Sequence, residues 1–226
     1  MVTAKEDSIE EEPKEWGINP ELRVPAISSG VKWNLANVDF EKIREKFRRT
    51  EYKHIEIADL RAFIQAKLEQ MIKENQGRIS FAQRFQAIID TYNSGGSSTE
   101  NYHEDLVNFA KNLKEEDERH IREGLTRDEL ELFDVLKKEK MTQKEEQKVK
   151  LAARHLLKRL AQEHPKVLVQ DWYKDAQTRE KVKQAMEESL DHDLPESYDR
   201  KLFQKKCDSL FNLVYEYAVK GEKWAA

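Results

Sequence analysis

The chain has 226 residues, of which 38% are apolar and 37% are charged. The apolar share is low and the charged share is high for a globular protein, so buried positions must be few and well patterned. Seven glycines and five prolines are too few for a β-sandwich or barrel with many tight turns. The single cysteine, Cys207, excludes an internal disulfide framework and a cysteine-based zinc site, and it fits a cytoplasmic location. We expect no membrane association, because no apolar run approaches the ~18 residues of a span.

The formal net charge is −4, and its distribution along the chain is uneven. Residues 1–15 hold six acids and two lysines, so the rest of the chain is neutral overall. Residues 42–53 carry six Lys or Arg against two Glu, whereas residues 115–134 carry nine acids and three Arg. Residues 147–162 carry five Lys or Arg and no acid. Such segregation on a neutral body indicates defined polar contacts rather than general adhesion to polyanions.

The first 37 residues contain three of the five prolines and no sustained hydrophobic period, which predicts a poorly ordered tail and linker. Beyond them, apolar residues recur with the helical period. The pattern predicts helices over 38–49 and 57–75 and a third helix with Ser80 as its N-cap. A fourth opens at Tyr102, and helix-forming residues continue to Gly124. Its apolar stripe stops at Leu113, so we expect its second half to project into solvent or to meet a partner.

Two capping boxes mark the next helices, because a threonine stands three residues before a glutamate in each. Thr126 begins the fifth helix and Thr142 begins the sixth. A seventh ends near Pro195, and Ser197 is the predicted N-cap of the eighth, the most apolar of all. Taken together, the pattern predicts an all-α, irregular bundle of about eight helices. We divide it into a tail at 1–37, a helical subdomain at 38–124 and a C-terminal helical subdomain at 125–226.

The chain lacks the phosphate-loop, dinucleotide-binding, nucleophile-elbow and zinc-protease motifs. Two acid–histidine pairs at i,i+3 spacing, Glu100 with His103 and Asp117 with His120, fall on one predicted helix. Their positions differ by about 260° around that helix, so they cannot share a metal site. We interpret them as surface polar residues. The residues themselves therefore predict no catalytic group, no metal and no cofactor in this chain.

Three segments are candidate binding sites. On the sixth helix, five cations lie opposite the apolar face, where they are able to contact DNA phosphate or an acidic protein partner, a plain solvated face being the alternative. They are Lys148, Lys150, Arg154, Lys158 and Arg159. The first helix offers a second basic cluster, with Lys42, Arg44, Arg48 and Arg49. The loop formed by Gly95, Gly96, Ser97 and Ser98 leads into a helix N-terminus and is either an anion-binding site or a flexible connector.

Several strings resemble the region that follows the motor in the R subunits of type I restriction enzymes. They are Phe40–Phe47, Thr50–Lys53, Ile57–Arg61, Tyr92–Gly96 with Glu100–Tyr102, Val169–Asp175 and Leu194–Asp199. The resemblance covers about residues 38–220. None of these strings is a functional motif, so they identify a region of the family without identifying a site.

The resemblance implies a parent subunit with an endonuclease domain and a DNA translocase motor that uses ATP and Mg²⁺. That subunit assembles with methyltransferase and specificity subunits. The nuclease carboxylates and the motor phosphate loop are absent here, so the chain resembles a C-terminal fragment without catalytic residues. The implied role is assembly with the methyltransferase and specificity core, with non-specific contact to double-stranded DNA as a further expectation. The alternatives are a structural bundle that contacts only its own subunit and a helical metal enzyme.

Overall fold

The structure is a computed structural model that describes residues 34–161 and 167–224. Of these residues, 77% are helical and none lies in a strand, which confirms the all-α prediction. The described part contains nine α-helices and two 3₁₀ turns, at Leu35–Asn37 and Gln76–Arg78. The α-helices are α1 (Phe40–Arg49), α2 (Lys53–Glu74), α3 (Ile79–Asn93), α4 (Thr99–Asp117), α5 (Arg119–Arg122), α6 (Arg127–Leu136), α7 (Gln143–Ala161), α8 (Ala176–Asp193) and α9 (Arg200–Lys220).

Side-chain caps explain where several helices begin. Thr126 and Glu129 form the predicted capping box of α6, and Thr142 and Glu145 exchange the corresponding hydrogen bonds before α7. Gly221 ends α9 with a left-handed φ of 68°, as expected of a residue without a Cβ.

Two predicted caps are wrong. Ser80 lies inside α3, because the 3₁₀ turn at Gln76–Arg78 runs directly into that helix. Asp199, not Ser197, caps α9, since its extended backbone aims the carboxylate at the Leu202 N–H. The Ser197 hydroxyl instead donates to Glu145.

The fourth predicted helix breaks at Glu118 into α4 and α5. The turn after Leu113 pairs with other elements, whereas Ile121 on α5 is 70% exposed. Lys114 Nζ donates to the Ala36 carbonyl at 2.9 Å. Asp117 lies 3.1 Å from Lys67 on α2 and pairs with Arg127 on α6. The apolar stripe ends at Leu113 because the next turn is held by ion pairs rather than by hydrophobic contact.

The buried apolar side chains form two clusters. The first extends from Leu35 to Leu113 and is built by α1–α4, while the second extends from Leu125 to Ala218 and is built by α6–α9. The boundary that we predict between residues 124 and 125 falls between them. Residues 1–33 of the predicted tail lie outside the described residues, whereas Leu35 is buried in the first cluster.

A polar seam joins the two clusters. We define it by the charged side chains that lie between them: Glu74, Arg78, Glu116, Asp117, Arg119, Arg127, Glu131, Asp134 and Lys223. Arg78, 3% exposed, pairs with Glu116 at 3.2 Å, and Lys223 Nζ lies 3.0 Å from the buried Glu131. Since nearly every buried charge here has a partner of opposite sign, the charges of the seam largely compensate one another.

Candidate interaction surface on helix α7

Helix α7 divides into a buried side and an acid-free exposed side. Its apolar residues lie in the second cluster as the sequence predicts: Val149, Ala152, Ala153, Leu156 and Leu160. The exposed residues recur every three or four positions from Lys144 to Arg159, a distance of about 22 Å along the helix. We call this side the α7 stripe and define it as Lys144, Gln147, Lys148, Leu151, Arg154, His155, Lys158 and Arg159.

Lys150, one of the five predicted contact residues, does not lie on the stripe. Its side chain is buried and pairs with Glu123 at 2.5 Å and Glu146 at 2.7 Å. Burial alone would lower the pKa of Lys150, but the hydrogen bonds to these two carboxylates outweigh it and raise the pKa. Lys150 is therefore a structural cation that fastens α7 to the turn after α5.

The other cations of α7 differ in how far their charge is already used. Arg154 donates to the Gly124 carbonyl at 2.8 Å and lies 3.6 Å from Glu129, while His155 contacts Asp193 at 3.0 Å. Lys148 and Lys158 are exposed and have no ion-pair partner within residues 34–161 and 167–224. Lys144, which the sequence pattern did not single out, is likewise exposed and without an ion-pair partner in the described residues. Extending the helical period one turn toward the N-terminus would have found it.

The basic cluster of the first helix is largely neutralised. Arg44 makes a double hydrogen bond to Glu104, at 2.5 and 2.9 Å, and this contact raises the pKa of the guanidinium. Lys46 pairs with Glu56 at 2.8 Å. We call the exposed end of this cluster the α1–α2 corner: Lys42, Lys46, Arg48, Arg49, Tyr52 and Lys53. Among its cations, only Arg48 lacks an acidic partner within the described residues.

The two glycine N–H groups of the glycine–serine loop donate hydrogen bonds to nearby backbone carbonyls. The Gly95 and Gly96 N–H groups donate to Tyr92 and Thr91 carbonyls at 3.0 and 2.9 Å. The Ser98 hydroxyl caps α4 by accepting from the Asn101 N–H. These bonds are those of a connector between two helices, and anion binding at this loop stays a prediction.

His103 is not a surface residue, contrary to the expectation from sequence. Its ring is buried and stacks on Phe47 at a centroid distance of 3.7 Å. Burial lowers its pKa, so the neutral imidazole is favoured. Glu100 pairs instead with Lys53 at 2.7 Å, and no group of three His, Cys, Asp or Glu in the described part of the chain is placed to hold a metal ion.

A family model for the C-terminal region of type I restriction enzyme HindI endonuclease subunit-like proteins matches residues 31–219. The chain belongs to this family. Neither the curated proteins nor the solved structures contain a significant match. The family match confirms the resemblance that the sequence indicates. In this chain, the described part of the matched region folds as an all-α bundle.

Two of the strings that carry the resemblance place an aromatic side chain in the second cluster. Trp172, within Val169–Asp175, is 1% exposed and lies in the second cluster. Tyr198, within Leu194–Asp199, is buried there too and donates to the Leu136 carbonyl. In these two strings, the resemblance to the family includes residues that pack the core. No helix in the described ranges combines the length and apolar character needed to cross a membrane.

Proposed function

We propose that this restriction-enzyme region is an assembly domain that binds the methyltransferase and specificity core of its complex through the α7 stripe. The observation that carries the proposal is an exposed apolar residue in the middle of an acid-free row of cations. Leu151 is 46% exposed, with Lys144 and Lys148 on one side and Arg154 and Lys158 on the other. An apolar centre surrounded by a polar, solvent-accessible rim is the arrangement found in protein interfaces. The partner surface would be acidic, with an apolar residue opposite Leu151.

The α1–α2 corner supports this choice by contrast. Most of its cations already face acids of the same chain, so a partner would have to break those pairs. The α7 stripe keeps three lysines without such partners in the described part of the chain. Charges that are not already compensated steer association and select partners of opposite sign.

The proposal gives this chain no catalytic role. Nuclease and motor chemistry, with ATP and Mg²⁺, would belong to other regions of the parent subunit, in the cytoplasm. The chain would contribute position only, by holding the motor-bearing subunit against the modification core. A structural bundle that contacts only its own subunit is the competing explanation, and it predicts no binding to the separate core.

The test is a co-purification of the tagged chain with the methyltransferase and specificity subunits, followed by titration calorimetry. Lys148→Glu with Lys158→Glu should weaken binding at least about tenfold, because two attractive charges become repulsive. Lys201→Glu with Lys205→Glu on α9 is the matched control, since it changes net charge equally at exposed positions. The control should bind as the unaltered chain does. Equal binding by both double variants would remove the stripe from the interface.

Non-specific contact to double-stranded DNA is the second candidate, favoured by the same three uncompensated lysines. Phosphate contacts carry no base identity, so affinity should not depend on DNA sequence. Three neutralised phosphates would give a log–log salt slope of about −3, at about −0.9 for each. The Lys148→Glu, Lys158→Glu variant should reduce that slope by about 2. If the variant binds DNA normally but fails to assemble, the stripe contacts protein.

A further inference from the structure

We infer that an acidic segment of the same chain, residues 6–15, occupies the α7 stripe and competes with the partner. The inference takes the stripe from the proposed function and adds its regulation. The segment holds six acids and one lysine, and it lies outside the part that the family model matches. It is therefore a feature of this chain beyond the region that defines the family.

The first argument is charge complementarity. The α7 stripe contains no acid, whereas the segment contains Glu6, Asp7, Glu10, Glu11, Glu12 and Glu15. Opposite charges that approach within a Debye length attract, and the attraction grows with the number of pairs formed together. The α1–α2 corner is a poorer acceptor for the segment, because Glu56 and Glu100 already pair with two of its lysines.

The second argument is the matching position of an apolar residue. Within the segment, two acids precede Ile9 and four follow it. Along the stripe, two Lys or Arg precede Leu151 and three follow it. An acidic row with one central apolar residue thus meets a basic row with one central apolar residue. The segment reproduces the partner surface that the proposed function requires.

The third argument is reach. Ala36, near the first described residue, is held to Lys114 on α4. The short helix α5 follows α4 after the break at Glu118, and Glu123 at its end contacts Lys150 on α7. Lys114 and Glu123 are nine positions apart and, at the helical rise, lie at most about 14 Å from each other, so α7 lies on the order of 30 Å from residue 34. Residues 16–33 provide 18 residues, which span at most about 60 Å. The acidic segment can therefore reach the whole stripe.

Zero-length carbodiimide cross-linking of the full chain at low salt tests the contact, because it joins carboxylates only to amines in direct contact. Peptide mapping of the monomer fraction should link residues 6–15 to Lys144, Lys148 or Lys158. Links should disappear at about 0.5 M salt, where the Debye length is only a few ångströms. Links to Lys42, Lys46 or Lys53 in place of the stripe, or links only between two copies, would overturn the inference.

A second measurement uses a labelled synthetic peptide of residues 1–15 as the probe. A variant in which the six acids are replaced by their amides has no internal competitor. It should bind the peptide about threefold to tenfold more tightly than the unaltered chain, as expected when a tethered ligand is removed. Lys148→Glu with Lys158→Glu should abolish peptide binding. Equal affinities for the two chains would contradict competition.

Neither measurement contains the methyltransferase or specificity subunits. If the unaltered chain shows the cross-link but the variant without the six acids still does not assemble, this inference is retained and the proposed function is refuted. A chain that assembles through the stripe without the cross-link would do the reverse.

Discussion

The hydroxyl of Tyr217 on α9 donates a 2.6 Å hydrogen bond to the carboxylate of Glu131 on α6. The backbone N–H of Gln76 donates to the Tyr217 hydroxyl oxygen at 3.2 Å and to Glu131 Oε1 at 3.1 Å. The other oxygen of Glu131 lies 3.0 Å from Lys223 Nζ. This buried arrangement joins the end of the first cluster to two helices of the second. Burial, together with the adjacent carboxylate, raises the pKa of Tyr217, so the hydroxyl keeps its proton.

Tyr217→Phe should lower the free energy of unfolding by about 1–3 kcal/mol, because the buried carboxylate of Glu131 loses the hydroxyl that donates to it. Urea denaturation followed by circular dichroism measures the change. Tyr215→Phe is the control: that ring packs against Trp172, and its hydroxyl has no hydrogen bond within the described ranges. The control should change stability by less than about 0.5 kcal/mol. Equal effects at both positions would show that the Tyr217 hydroxyl is not structural.

Lys150→Met should destabilise the chain by about 1–3 kcal/mol, since Glu123 and Glu146 lose their common cation. Lys148→Met, two residues away on the stripe, should change stability by no more than about 0.5 kcal/mol. Thermal and urea unfolding of the two variants provide the comparison. If Lys150→Met were as neutral as Lys148→Met, Lys150 would have to be returned to the exposed cations.

Cys207 should be unreactive in the native chain. Burial and the neighbouring carboxylates raise the pKa of its thiol to about 12, and the thiolate is the reactive form. Labelling with a chromogenic disulfide reagent at pH 7.5 should be at least about 100-fold slower in buffer than in 8 M urea. Rapid stoichiometric labelling without denaturant would place the thiol at the surface.

Stability should decrease as the pH falls below about 6.5, the ordinary pKa of histidine. The pKa of His103 is lowered by burial in the folded chain, so below pH 6.5 the unfolded chain binds a proton that the folded chain does not. Unfolding free energies at pH 5.0, 6.0 and 7.0 should therefore rise with pH. His103→Phe, which keeps a ring against Phe47, should flatten this rise. An unchanged slope in the variant would assign the effect to another group.

The sequence predicts the helices well because each helix buries one apolar stripe. The residues of such a stripe recur every three or four positions, so neighbouring residues are enough to reveal it. Thr126 and Gly221 are found for the same reason, since a capping box and a left-handed terminus involve only neighbouring residues. Ser197 fails as a cap because Asp199, two residues later, is the residue that takes the extended backbone. Serine and aspartate are both favoured N-cap residues, so the sequence alone does not show which of the two caps the helix.

The candidate site could be predicted only in part. The acid-free row on α7 is visible in the sequence, but the acids that neutralise it come from elsewhere. Glu123 and Glu129 reach Lys150 and Arg154 because the α5–α6 turn folds across α7. The surface position predicted for His103 is wrong for a related reason: a histidine beside acids looks solvated until Phe47 from another helix covers it. Partners distant in sequence decide both cases.

The order of the two clusters along the chain has a consequence for synthesis on the ribosome. The first cluster uses only residues up to Leu113, and the second begins at Leu125, so each closes with contacts that are nearby in sequence. The first can pack while the second is still being translated. Lys223 emerges after both, and its ammonium then binds the Glu74 carbonyl at 2.6 Å together with Asp128 at 2.8 Å. The two clusters are thus synthesised in turn, and Lys223, which follows both in sequence, adds a further link between them.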